Sequence, residues 1–144
     1  MNKCLSWVSE MGTKHNLTFS SQEILKDSIL CLDGIRRQLL ILKNFEEVIY
    51  FSELIDLREI KSCSLKKQYG STYGAAFQSR KPEDSYLETI YLNFEFASNR
   101  EPIDVKFFNH IENHPGEMAA LEQRARDWEI LLSKMMQTSL EKTA

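Results

Sequence analysis

From Tyr86 to Phe96 the chain alternates: Tyr86, Ile90, Leu92, Phe94 and Phe96 share one parity, while Thr89, Asn93 and Glu95 take the other. Successive side chains of a strand point to opposite faces, so the pattern predicts a strand with one buried and one wet face. A buried face of that size needs a second layer to cover it. Such a layer is legible near the C-terminus, where Met118, Leu121, Ala125, Trp128, Leu132 and Met135 recur at spacings of 3, 4, 3, 4 and 3. They form one apolar stripe on a helix expected from about Glu117 to Gln137. The stripe lasts only about three heptads, the lower limit for a coiled coil, so packing on the chain's own sheet is its expected role.

The remaining strands follow from turn chemistry. Ile103, Val105 and Phe107 alternate with Asp104 and Lys106 after the turn Ser98–Pro102, which predicts a hairpin with Tyr86–Phe96. Ser28–Leu32 and Arg36–Lys43 flank Asp33-Gly34, a pair suited to a type I′ turn with positive φ at both central residues. Asn44 marks the next turn, before Glu47–Phe51, where Val48, Ile49, Tyr50 and Phe51 are all β-formers. Residues 52–57 break the alternation, and a strand resumes from about Arg58 to Lys67. Residues 68–84 read as a loop or frayed hairpin tip because they hold Gly70, Ser71, Gly74, Ser79 and Pro82. At the other end, Leu5, Val8 and Met11, with Trp7 beside them, predict a short helix over 2–14 that stops around Gly12 and His15-Asn16. Residues 17–27 read as a strand with an irregular exit. The expectation is an N-terminal helix within 1–16, an α+β domain of about six or seven antiparallel strands over 17–140, and a frayed tail at 141–144.

Composition narrows the function classes. The 144 residues suffice for one core without disulfides or metals. Net charge is −3 and the pI about 5.7, so the chain lacks the basic surplus that nucleic-acid affinity draws on, and no nucleic-acid partner is expected. Cys4, Cys31 and Cys63 are odd in number and lack C-x-x-C spacing, which suits a reducing compartment. Ser6, Ser9, Glu10 and Lys14 interrupt any N-terminal apolar run, and no apolar stretch approaches the roughly 18 residues a membrane span needs. A soluble cytoplasmic protein is the expectation.

The order of elements, with Trp128 inside the charged helical segment Leu121–Leu132, resembles a pleckstrin-homology-like (PH-like) domain over residues 17–137. In that family a small barrel is plugged at one end by a C-terminal helix bearing a buried tryptophan, and Trp128 would be that residue. The resemblance implies a partly open barrel or strongly curved sheet. Membrane-binding members hold phosphoinositides with basic residues around the first hairpin. Here the matching turn offers Arg36 and Arg37, with Lys26 upstream, but Asp27 and Asp33 sit beside them and the basic pattern is not met residue for residue. Any membrane association is therefore expected to be peripheral. Many relatives of this fold bind peptides or proteins, which suits these residues better.

Searching for chemistry finds few patterns. His110 and His114 have H-x3-H spacing, yet Pro115 and Gly116 point to a turn instead of a ligand-bearing helix face. Tyr69-Gly70-Ser71-Thr72-Tyr73-Gly74 lacks the Lys-Ser/Thr of a phosphate loop. Cys63 has no histidine near it in sequence, and Glu46-Glu47 and Glu83-Asp84 sit at turns, where acidic residues are expected anyway. No enzyme, metal or cofactor is expected. The favoured reading is a non-catalytic interaction module for a protein or peptide, monomeric or homodimeric. Its candidate partner contacts are Tyr69, Tyr73, Phe77 and Met136, and its candidate anion-binding residues are Arg36, Arg37, Lys66, Lys67, Arg80 and Lys81. Two alternatives stand beside it. One is a small acidic dimeric chaperone for a secreted protein, which requires a mid-chain helix that only residues 52–60 could supply. The other is a lipid or small-ligand binding domain.

Overall fold

The computed structural model describes residues 2–71 and 85–143, with side chains over 5–70 and 86–136. Helix α1 (Asn2–His15) precedes a meander of β1 (Ser21–Ile24), β2 (Ser28–Asp33), β3 (Gln38–Phe45) and β4 (Val48–Asp56). A 3-10 turn at Leu57–Glu59 leads into β5 (Ile60–Ser71), β6 (Ser85–Phe96) and β7 (Ile103–Asn109), and a second 3-10 turn at Pro115–Glu117 opens α2 (Met118–Thr143). Among the described residues the strands form two separate antiparallel sheets, β1-β2-β3-β4 and β5-β6-β7, and no closed barrel. The expected α+β architecture, with seven antiparallel strands between two helices, is the observed one.

β2 and β3 sit between two apolar layers, and this explains why they read as continuous apolar runs. Leu30, Leu32, Leu39 and Ile41 belong to the main core, with Ile55, Ile90, Leu92, Phe94, Val105 and the α2 residues Leu121, Ala125, Trp128 and Leu132. Ile29, Cys31, Leu40 and Leu42 point the other way and are covered by Val8, with Trp7 and Met11 of α1 packed against them. A strand covered on both faces loses its hydrophobic alternation. Leu5, part of the expected helical stripe, remains 55% exposed, so the buried side of α1 is Trp7, Val8 and Met11. That helix ends in a Schellman motif: Asn16 adopts φ 54°, Leu17 N–H donates to Gly12 C=O at 2.8 Å and Asn16 N–H to Thr13 C=O at 3.3 Å.

The C-terminal stripe falls as expected, with Leu121, Ala125, Trp128 and Leu132 buried and Met118 and Met135 half-buried. The indole N–H of Trp128 donates to Glu23 Oε1 at 3.2 Å, which ties α2 to β1. At the helix start, His114 Nδ1 accepts from the Gly116 amide at 2.9 Å, and Glu117 accepts from the His114 amide at 2.8 Å. His114 is thus a capping residue, and Pro115 sits where its missing N–H is harmless.

Four local expectations are corrected. The Asp33-Gly34 hairpin exists, but Asp33 pairs with Gln38 across a longer turn, and the positive φ falls on Arg37 (55°). The side chain of Asp33 explains this: it accepts from the Ile35 and Arg36 amides at 3.0 and 2.9 Å, and from the Thr18 amide at 2.9 Å. The type I′ position belongs instead to Glu46 and Glu47, with φ 47° and 68°, because β3 runs past Asn44 to Phe45. Residues 52–56 continue β4 as strand, so the mid-chain helix candidate reduces to the single 3-10 turn at Leu57–Glu59, capped by Asp56 accepting from Arg58 N–H at 2.9 Å. Finally, β5 extends through Gly70 to Ser71, into the expected loop. Gly70 lies opposite Tyr86, whose ring would come within 2.6 Å of a Cβ there, so the glycine is a strand residue covered by a cross-strand aromatic.

Asp33 is the one fully buried carboxylate among the described residues. Burial works against its charge. The backbone amides of Arg36 and Thr18, the Arg36 guanidinium at 3.0 Å and the Ile35 amide outweigh burial and hold it below the usual carboxylate range. A depressed folded-state pKa contributes stability above the unfolded value and loses it as pH falls through the folded one. Asp33→Ala should cost about 2–3 kcal/mol at neutral pH in urea denaturation, and the gap to wild type should narrow below about pH 4. A gap that stayed constant into acid would show that the carboxylate's charge is not what holds the turn.

Candidate interaction surface

Of the four described cationic residues singled out from sequence, Arg36, Arg37 and Lys67 have partners within the fold. Arg36 lies 3.0 Å from Asp33. Arg37 donates to the Met135 carbonyl at 2.9 Å, fastening the β2–β3 turn to α2. Lys67 lies 3.1 Å from Glu122, which also accepts from Arg126 at 2.9 Å, and Arg126 and Lys67 together hold the Glu122 carboxyl below its usual range. Met135 and Glu122 are about 20 Å apart along a helix, so Arg37 and Lys67 do not share a site. Lys66 is exposed on β5. Tyr69 is exposed near the end of β5, opposite Leu87. Met136 is half-buried against the main core. Tyr73, Phe77, Arg80 and Lys81 lie outside the described residues.

The residues considered for chemistry are also committed. Burial pushes the Cys31 thiol up to about 12, and burial with the Glu129 charge does the same to Cys63, so neither supplies a thiolate. His110 sits edge-on to Tyr86 at 5.0 Å while His114 caps α2, so the two imidazoles face different partners. Among the described residues, no group of three or more His, Cys, Asp or Glu side chains converges as a metal site, and no buried side-chain polar atom lacks a hydrogen-bond partner.

Both sheets contribute to a polar cleft of about 390 Å³, with Ser28 and Lys43 on one side and Thr89, Tyr91, Asp104 and Lys106 on the other. Its charges are mostly answered internally. Lys106 lies 2.8 Å from Glu112 and 3.1 Å from Asp27, which outweigh burial and raise its pKa, and Asp104 accepts from Asn93 at 2.6 Å. Lys43 stands over the Phe51 ring at 5.3 Å. Two lysines against two aspartates leave no net charge to draw a polyanion such as a phosphoinositide headgroup.

The sheet edges differ in how they are finished. On β5, the Leu65 N–H is taken by the Glu129 carboxylate of α2 at 2.7 Å. β1 and β4 are the two outer strands of the four-stranded sheet, and among the described residues β4 pairs only with β3. At its start Val48 lies opposite Phe45, and Tyr50 falls where the register shifts between Lys43 and Asn44. These three are 65%, 69% and 65% exposed, the only such apolar group on one hairpin among the described residues. Further along, Arg100 bonds Glu53, lies 3.3 Å from Glu59 and stacks over Phe96 at 4.8 Å, pinning the later half of β4. The sequence reading placed a strand at Glu47–Phe51 but singled out none of its residues as a contact, although one signal was present: Val48, Ile49, Tyr50 and Phe51 are four consecutive β-formers, and a pleated strand cannot turn all four to one side.

No protein-family model, no curated protein and no solved structure matches this chain.

The left-handed pair Glu46-Glu47 carries Cβ atoms where asparagine and glycine are favoured, a steric cost of about 1–2 kcal/mol per residue. The double variant Glu46→Asn, Glu47→Gly should therefore raise stability by about 1–2 kcal/mol, read as a higher midpoint in urea with unchanged slope. An unchanged or lower midpoint would mean that contacts of the glutamates offset the strain.

Proposed function

We propose that the chain is a PH-like, non-catalytic interaction module that binds a protein or peptide along β4. The PH-like reading draws support from the division into four- and three-stranded sheets and from Trp128, buried where a C-terminal helix meets the sheets. The binding reading rests on one observation: β4 is an outer strand paired on one side among the described residues, with its first residues turned to solvent, whereas on β5 Glu129 of α2 takes the Leu65 N–H. An extended segment that adds to such an edge gains main-chain hydrogen bonds, and side chains such as Tyr50 and Ser52 confer selectivity. A tight partner also answers the liability an open edge creates.

The dimeric-chaperone alternative needs a mid-chain helix, and between α1 and α2 the described residues hold only three-residue 3-10 turns. A headgroup binder needs free cations near the first hairpin, where Arg36 and Arg37 are engaged by Asp33 and Met135. No helix is long and apolar enough to cross a membrane among the described residues.

Affinity capture from the native cell lysate, quantified by mass spectrometry against a tag-only control, tests the module reading. A protein partner in near-equal amount to the bait is the expected result. Recovery of the bait alone would sink it.

A further inference from the structure

We propose that the polar cleft between the two sheets is a binding site for a small, uncharged, polyhydroxylated ligand of the sugar class. Such a site goes beyond the interaction-module reading and stands without it. Its walls are strand residues held on paired rungs: Ser28 with Lys43 across β2 and β3, Gln68 with Thr89 across β5 and β6, and Tyr91 with Lys106 across β6 and β7. Side chains fixed on two sheets are in place before any ligand arrives, and a volume of about 390 Å³ is within the range of small-molecule sites.

The ligand's chemistry follows from which groups in the cleft are answered and which are not. Each charged group has a partner: Lys106 has Asp27 and Glu112, Asp104 has the Asn93 amide, and Lys43 has the Phe51 ring. The neutral groups do not. Thr89 is 8% exposed, and its hydroxyl, which keeps access to solvent, makes no hydrogen bond with any described residue. The same holds for the Gln68 amide and for the Tyr50 and Tyr91 hydroxyls that line the cleft with it. A polar group held nine-tenths buried without a protein partner calls for one from outside. A sugar matches this lining, because each of its hydroxyls both donates and accepts and can answer hydroxyls and an amide together. Its C–H faces suit the tyrosines, which pair an apolar ring with a polar tip. A charged ligand instead meets both signs at once, Lys43 and Lys106 against Asp27 and Asp104.

The test is a titration of the nitrogen-15-labelled full chain with glucose, galactose, mannose and N-acetylglucosamine in turn, followed by amide chemical shifts. At least one sugar should give saturable shifts centred on Ser28, Thr89 and Tyr91, with a dissociation constant of about millimolar order or tighter. Thr89→Val removes the hydroxyl at nearly constant volume and should weaken that binding about tenfold; Gln68→Ala, on the exposed wall, should weaken it several-fold. Melting temperatures establish that both variants are folded. Undiminished binding by Thr89→Val overturns the site, and Gln68→Ala decides in the same way if the valine variant does not fold. Absence of cleft shifts with all four sugars, or shifts centred elsewhere, overturns it too. Saturation of the cleft by inorganic phosphate or glycine, but by none of the sugars, would assign it to a charged ligand and overturn it likewise.

Discussion

β2 and β3 have no wet face, and the rest of the molecule is arranged around that fact. Two strands whose alternate side chains are apolar in both directions must be covered twice, and one chain has to supply both covers. The first cover is the second sheet with α2, which buries Leu30, Leu32, Leu39 and Ile41; the second is α1, which closes over Ile29, Cys31, Leu40 and Leu42. The shorter helix is not stable for its own sake. A 14-residue helix such as α1 is marginal in water without tertiary packing, so its Schellman end and its Trp7, Val8 and Met11 contacts position it only because the sheet face is there to receive them.

The polar side chains mostly serve the same assembly. Asp33 gathers three backbone amides and a guanidinium to hold the β2–β3 turn and the approach to β1, Arg37 carries that turn to α2, and Glu129 reaches back from α2 to β5. A buried carboxylate is tolerated because its acceptors are filled, and a strand edge is tolerated because a side chain substitutes for a neighbouring strand. Against this background the β3–β4 hairpin stands out. Its turn is built from residues that disfavour its backbone, its apolar side chains face solvent, and its outer edge is unpaired.

Much of the fold was legible because its signals are periodic. The alternation of Tyr86–Phe96, the stripe from Met118 to Met135 and the stop of α1 depend on local spacing alone, and these elements stand where their patterns placed them, although α2 runs on to Thr143, past the end expected near Gln137. The errors share a cause of the opposite kind. Asp33-Gly34 looked like a two-residue turn because Asp and Gly favour one, but Asp33 is bound by an amide 15 residues away, at Thr18. Gly70 looked like a loop residue because only a cross-strand tyrosine makes a glycine there a sensible strand position. The partners of the candidate cations were hidden for the same reason: Arg36, Arg37 and Lys67 are cationic in any reading, and only the fold reveals that Asp33, the Met135 carbonyl and Glu122 lie against them.

By itself, the sequence determined the class of the domain, the kind and order of its main elements, and which residues must be apolar partners, since these follow from side-chain periodicity and from the need to bury what repeats. It also determined the absence of a basic surplus, a matter of composition. The tertiary structure alone decided which charges are free and which are spent, which strand edge is closed by α2 and which is left open, and that the tight left-handed turn falls on two glutamates. Those outcomes depend on contacts between residues far apart in the chain, such as Leu65 with Glu129 or Arg37 with Met135, and no local pattern encodes a distance across a fold.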